Sequence, residues 1–194
     1  MLRKLLAMLV LGLLVPLGAG AATVTLGGNL TTEAEVPAPT IPDGFDPSGF
    51  VLASLDTDTG EFAWLVTFTG LTGPAGAAHF HGPFPPGVAG GIQIDIGDAG
   101  SAQNAPEEAV DVVLSGVGQA SGTFMGTATL NADQMADLLA GLWYINVHTE
   151  LNPSGEIRAQ MLITSSITPV PLPAAAWLMM SGLAGLGMLR RRAG

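Results

Sequence analysis

From residue 23 to residue 163 the chain is cut into short apolar blocks, each closed by Gly, Pro, Asn or Asp. That spacing suits strands and leaves little room for helices, which need an apolar stripe repeating every 3.6 residues over a longer window. With 27 glycines and 14 prolines in 194 residues, the punctuation is dense enough to predict an all-β sandwich. Strands are expected at 23–26, 50–55, 62–68, 77–80, 91–96, 110–114, 122–129, 142–149 and 156–163. Residues 56–60 (DTDTG) and 152–155 (NPSG) carry the turn chemistry that joins neighbouring strands as hairpins.

One segment breaks the pattern. Asn131 followed by Gln134 is a capping signature, Met135, Leu138 and Leu139 form an apolar stripe, and Gly141 supplies a stop. A short helix is expected there, sealing one end of the sandwich. Residues 35–48 hold four prolines and read as a surface loop, and residues 98–108 read as a second loop.

The two ends are of a different kind. Arg3 and Lys4 precede an apolar run of 11 residues, 5–15, and Ala19-Gly20-Ala21 offers a small-residue cleavage site. That order is a secretory signal peptide, expected over 1–21. At the other end Val170, Pro171, Leu172, Pro173 and Ala174 precede an apolar segment closed by Arg190, Arg191 and Arg192. The 19 uncharged residues 171–189 just suffice for a membrane-spanning helix, with the triple Arg as its cytoplasmic stop. This tail resembles the VPLPA-type variant of the PEP-CTERM sorting signals. The resemblance implies processing by an exosortase, a membrane cysteine protease, and transfer of the domain to the cell surface. A permanent single-span anchor in the inner membrane is the alternative. The expected organisation is therefore signal peptide 1–21, β domain 22–169 and sorting signal 170–194.

Charge narrows the function classes. Five of the six basic residues lie in the terminal segments, so inside 22–169 one cation, Arg158, stands among all 16 carboxylates, a formal balance of −15. Phosphate backbones would be repelled, which argues against a nucleic-acid partner. There is no cysteine, so neither disulfides nor thiol chemistry is available to an exported chain. The 56–61 turn (DTDTGE) only partly resembles a calcium loop. Calcium is expected at most as a weak associate of the acidic surface.

Chemistry, if present, gathers at the histidines. His79 and His81 are two apart and project from one face of a strand. On the closing hairpin Tyr144, Asn146 and His148 share a face, as do Glu156, Arg158 and Gln160 on its partner. The first motif, Ala78-His79-Phe80-His81-Gly82-Pro83, is similar to the A-H-[IF]-H-G motif of the chordin-type (CHRD) domain. Residues 144–149 (YINVHT) and 152–160 (NPSGEIRAQ) resemble that family's closing signature, with Ala159 where Gly is usual. The resemblance implies an immunoglobulin-like or superoxide-dismutase-like Greek-key β-sandwich, in a family of extracellular proteins that includes an antagonist of secreted signalling factors.

Two functions from different classes follow. The first is an exported, non-enzymatic surface or extracellular-matrix module, structural or adhesive. Its partners would be signal peptidase and exosortase during export, and an extracellular polysaccharide or surface protein afterwards. The second is a zinc- or copper-binding sandwich using His79, His81 and His148, with redox chemistry as a further possibility and Asp95, Glu150 or Glu156 as outer acceptors. Against it stands a purely structural role, with the histidines hydrogen-bonded to backbone and to Glu156. Arg158, the lone cation, is expected to pair with Glu156, its same-face neighbour.

Overall fold

The computed structural model describes residues 22–96, 109–114 and 116–167, all within one unit, Ala21–Thr168. In chain order the elements are β1 (Thr23–Leu30), β2 (Ser48–Asp56), β3 (Glu61–Thr69), β4 (Ala75–His81), β5 (Ile92–Asp95), β6 (Ala109–Leu114), β7 (Gly122–Thr129), α1 (Ala132–Leu139), β8 (Tyr144–Thr149), β9 (Ile157–Gln160) and β10 (Leu162–Ile167). The expected signal peptide, 1–21, the expected second loop, 98–108, and the expected sorting signal, 170–194, lie outside the described residues. Among those described, no helix is long and apolar enough to cross a membrane.

The strands form two antiparallel sheets that pack as a sandwich. The six-stranded sheet runs β10-β1-β2-β3-β7-β6 and the four-stranded sheet β5-β4-β8-β9. Alternation decides which side chains face inward. Phe62, Trp64, Val66 and Phe68 of β3 are buried, and so are Phe80 of β4 and Ile145 and Val147 of β8. Aromatic rings bridge the sheets: Phe80 meets Phe62 edge-on at 5.2 Å and Trp64 at 5.4 Å. Such pairs add to the transfer energy of burial, about 1.5–3 kcal/mol for each large side chain.

The local signals act as read from sequence. Asp56 Oδ1 accepts from the Asp58 and Thr59 amides, and Gly60 closes the β2–β3 hairpin at φ 77. Asn131 caps α1 in a capping box with Gln134, and Gly141 ends the helical stretch at φ 72. Leu138 lies in the core, with Met135 and Leu139 packed against it.

Two expectations are corrected. The single strand expected at 156–163 is two strands in different sheets. Met161 is fully buried and donates its amide to the Trp143 carbonyl; beyond it Leu162 pairs with Gly27 of β1 in the other sheet. The inward alternation Ile157, Ala159, Met161 runs unbroken through the switch, so the pattern reads as one strand. The connection expected over 35–48 has no strand or helix up to residue 47, β2 beginning at Ser48, but it is not wholly superficial: Glu35 is buried at its start.

The outer face of the four-stranded sheet is polar and yet largely covered. Tyr144, Asn146 and Arg158 are buried on it, although they point away from the core. The covering segments are the β1–β2 connection, which brings Glu35, and the β4–β5 connection, which brings Val88 and Gly90.

Candidate metal centre

Register places the site. Across the four-stranded sheet Asp95 of β5 pairs with His79 of β4, His79 with Asn146 of β8, and Asn146 with Arg158 of β9. One step along, His81 faces Tyr144; one step the other way, Ala77 faces His148. Period-two alternation puts His79, His81, Asn146 and His148 on the same face, above a core-facing row that includes Phe80, Ile145 and Val147.

The three histidines converge. One ring nitrogen from each lies within 4.8 Å of the other two. His79 Nδ1 is 3.0 Å from His148 Nε2. The outer nitrogens are tied back. His81 Nδ1 lies 2.8 Å from the Gly90 carbonyl oxygen and His148 Nδ1 lies 3.0 Å from that of Pro153. A carbonyl only accepts, so both Nδ1 atoms carry the proton and both Nε2 atoms present a lone pair inward. His79 turns the other way, with Nε2 3.8 Å from Asp95 Oδ1 and Nδ1 toward His148; with its proton on Nε2, beside that carboxylate, Nδ1 would be the nitrogen offered to an ion.

Burial favours the neutral form of two of these rings. Burial pushes His81 below the ordinary imidazole value, and burial with the neighbouring His79 and His81 pushes His148 down to about 4. Neutral imidazoles with inward lone pairs are the form that binds a transition metal. The outer contacts to Gly90, Pro153 and Asp95 are the orienting partners that metal-ligating histidines use.

The chain's closing motif supplies more than His148. His81 stacks on Tyr144 at 4.6 Å with the rings 4° from parallel, and Arg158 sets its guanidinium 3.4 Å over the same Tyr144 ring. Arg158 also donates to the Val88 carbonyl at 2.9 Å. The matching sequence profile, that of the CHRD domain, covers residues 20–161. The chain belongs to the CHRD domain family. No curated protein and no solved structure matches the chain. In this CHRD domain the first motif supplies His79 and His81, and the closing signature supplies Asn146, His148, Glu156 and Arg158.

The expected Glu156–Arg158 pair does not form. Glu156 is fully buried and accepts from the Thr72 amide and hydroxyl, the Thr149 hydroxyl and Asn152 Nδ2. Arg158, 1% exposed, turns to Tyr144 and Val88 instead. Same-face neighbours on a strand sit roughly 7 Å apart, and each of these finds closer partners in a different loop. Burial lowers the Arg158 pKa, an effect opposed by Tyr144 and by Glu35; burial raises that of Glu35.

Among the outer acceptors named from sequence, Asp95 stands beside His79, Glu156 is spent on Thr72, Thr149 and Asn152, and Glu150 is exposed. Sequence reasoning missed Glu35, which reaches Asn146 from a Pro-rich connection. It also missed the Gly90 and Pro153 carbonyls, because a backbone oxygen leaves no mark in residue type.

Proposed function

We propose that this chain is an exported, non-enzymatic CHRD module that holds one zinc- or copper-class ion at His79, His81 and His148. The observation that carries the reading is the convergence of three imidazoles, in two of which, His81 and His148, burial disfavours the charged form and the Nδ1 proton is spent on a carbonyl, so that Nε2 is bare. Two of the converging nitrogens, His79 Nδ1 and His148 Nε2, stand 3.0 Å apart, near enough for a single ion to take both as ligands. The ion's role is structural, in a surface or matrix module. Redox chemistry is no part of this reading. Kinship to immunoglobulin-like or superoxide-dismutase-like Greek-key sandwiches belongs to it. Its support is the chain's passage from sheet to sheet after β3, β5, β7 and β9.

Export rests on the sequence of the two ends. The positive start, apolar run and Ala19-Gly20-Ala21 at the N-terminus support a signal peptide. The Val170–Ala174 motif, apolar segment and Arg190–Arg192 at the C-terminus support exosortase sorting through the inner membrane to the cell surface. The acidic balance disfavours nucleic acid, and the partner expected in this reading is an extracellular polysaccharide or surface protein.

The test is metal content of the full chain, purified in detergent without a histidine tag, beside a His79→Ala/His81→Ala variant. One zinc or copper per chain, absent from the variant, is the expected result. A wild type that takes up neither ion overturns the metal centre. For export, replacing Arg190, Arg191 and Arg192 with Ser is expected to impair surface display, and undiminished display overturns the sorting reading.

A further inference from the structure

The three imidazoles do not exhaust the lone pairs aimed at their common point. Asn146 brings Oδ1 to 2.9 Å from His148 Nε2 and 3.0 Å from His81 Nε2. Both nitrogens are bare, because their rings spend the Nδ1–H on Pro153 and Gly90. A carboxamide oxygen also only accepts. Three acceptors at hydrogen-bond distance, with no proton among them, repel unless a cation joins them.

The amide is held in this orientation from behind. Asn146 Nδ2 lies 3.4 Å from the Ser154 carbonyl oxygen, and the buried Glu35 carboxylate is a further neighbour. The reverse orientation would aim the amide oxygen at both of these acceptors. Gly155 makes the approach possible: a Cβ there would strike Glu35 Oε2 and Asn146 Nδ2, and its φ of 126 suits glycine alone.

We propose that Asn146 Oδ1 is the fourth donor of the metal centre, so that His79, His81, His148 and Asn146 close it with no position left for water or substrate. The proposal rests on the metal reading above. Its chemical consequence is a structural ion, since catalytic zinc sites keep one position open and structural sites are saturated by protein. The ion joins β4 to β8 directly. Through the outer contacts it also fixes β5 by Asp95, the β4–β5 connection by Gly90, the β8–β9 turn by Pro153 and the β1–β2 connection by Glu35. In a chain without cysteine, that cross-link does what a disulfide does in other exported domains.

The test uses Co²⁺ as the probe, bound to the full chain in detergent and followed by visible absorption and by chelator competition. Wild type is expected to bind one Co²⁺ with the intense absorption of a four-coordinate tetrahedral site. Asn146→Ala should still bind one ion through three histidines, about 10–100-fold more weakly, with weaker absorption as water enters. Asn146→Asp combined with Glu35→Gln keeps an oxygen donor, gives the second Asp oxygen an amide N–H in place of the Glu35 carboxylate, and is expected to retain the wild-type spectrum and bind at least as tightly. An Ala variant with unchanged affinity and spectrum overturns the fourth donor while leaving the three-histidine centre standing. A wild type that binds neither Co²⁺ nor Zn²⁺ removes the centre itself. Should the Ala variant fail to fold, the Asn146→Asp/Glu35→Gln pair decides alone: a lost four-coordinate spectrum or weaker binding overturns the proposal.

Discussion

Replacing Glu156 tests how a fully buried carboxylate without a cationic partner is held. Its four donors are the Thr72 amide, the Thr72 and Thr149 hydroxyls and Asn152 Nδ2. In Glu156→Ala the two hydroxyls can turn toward each other, since they already stand 3.4 Å apart. Asn152 Nδ2 keeps the Thr72 hydroxyl at 3.4 Å as an acceptor, so the Thr72 amide alone has no such freedom. Leaving a buried donor unpaired costs about 1–3 kcal/mol, so this one costs on the order of 2 kcal/mol. For a domain of this size each kcal/mol moves Tm by about 2–4 °C, which gives a fall of roughly 4–8 °C by scanning calorimetry. Glu156→Gln retains an oxygen for the Thr72 amide and offers N–H groups that the hydroxyls can accept, so no donor is stranded. Its fall should be less than half as large. A loss in Gln equal to that in Ala refutes the donor count, and an Ala variant melting within about 2 °C of wild type refutes the role of the carboxylate altogether.

Three other outcomes are expected. Arg158→Ala removes a desolvated cation–π stack worth about 2 kcal/mol together with a buried hydrogen bond, and should lower the unfolding midpoint in urea measurably; Arg158→Lys should not restore it, because the ammonium cannot lie flat on Tyr144. An unaltered midpoint would count against the stack. Asp95→Asn should weaken metal binding about 10–100-fold in chelator competition by releasing the orientation of His79, and equal affinity would show that Asp95 does not set that ring. Asn131→Ala should cost about 1 kcal/mol through the lost cap while leaving metal content untouched; a change in metal content would mean that α1 is coupled to the centre.

Much of the architecture was legible because period-two alternation is a local property. It located the strands, put His79 with His81 and Asn146 with His148, and separated those residues from the apolar row behind them. The helix was legible from its cap and stop. What escaped was non-local. Whether β9 continues or changes sheets at Met161 depends on which edge of the sandwich β10 meets, and nothing in residues 156–163 records that. The Glu156–Arg158 pairing failed for the same reason: proximity along a strand was visible, but the stronger claims of Thr72, Thr149 and Val88 came from distant segments. Glu35 gave no signal at all, being one carboxylate of 16 in a Pro-rich connection.

The pairing of the first and last described strands has a mechanical consequence. Thr23 at the start of β1 lies opposite Ile167 at the end of β10, so the chain enters and leaves the six-stranded sheet side by side. Tension applied between those two points would open the β1–β10 hydrogen bonds one after another, as a zipper opens, and would not share the force among them. A sandwich threaded in this way yields at low force when pulled as a link in series. Hung from either end alone it carries no strain across the sheet, which suits a pendant module better than a tether.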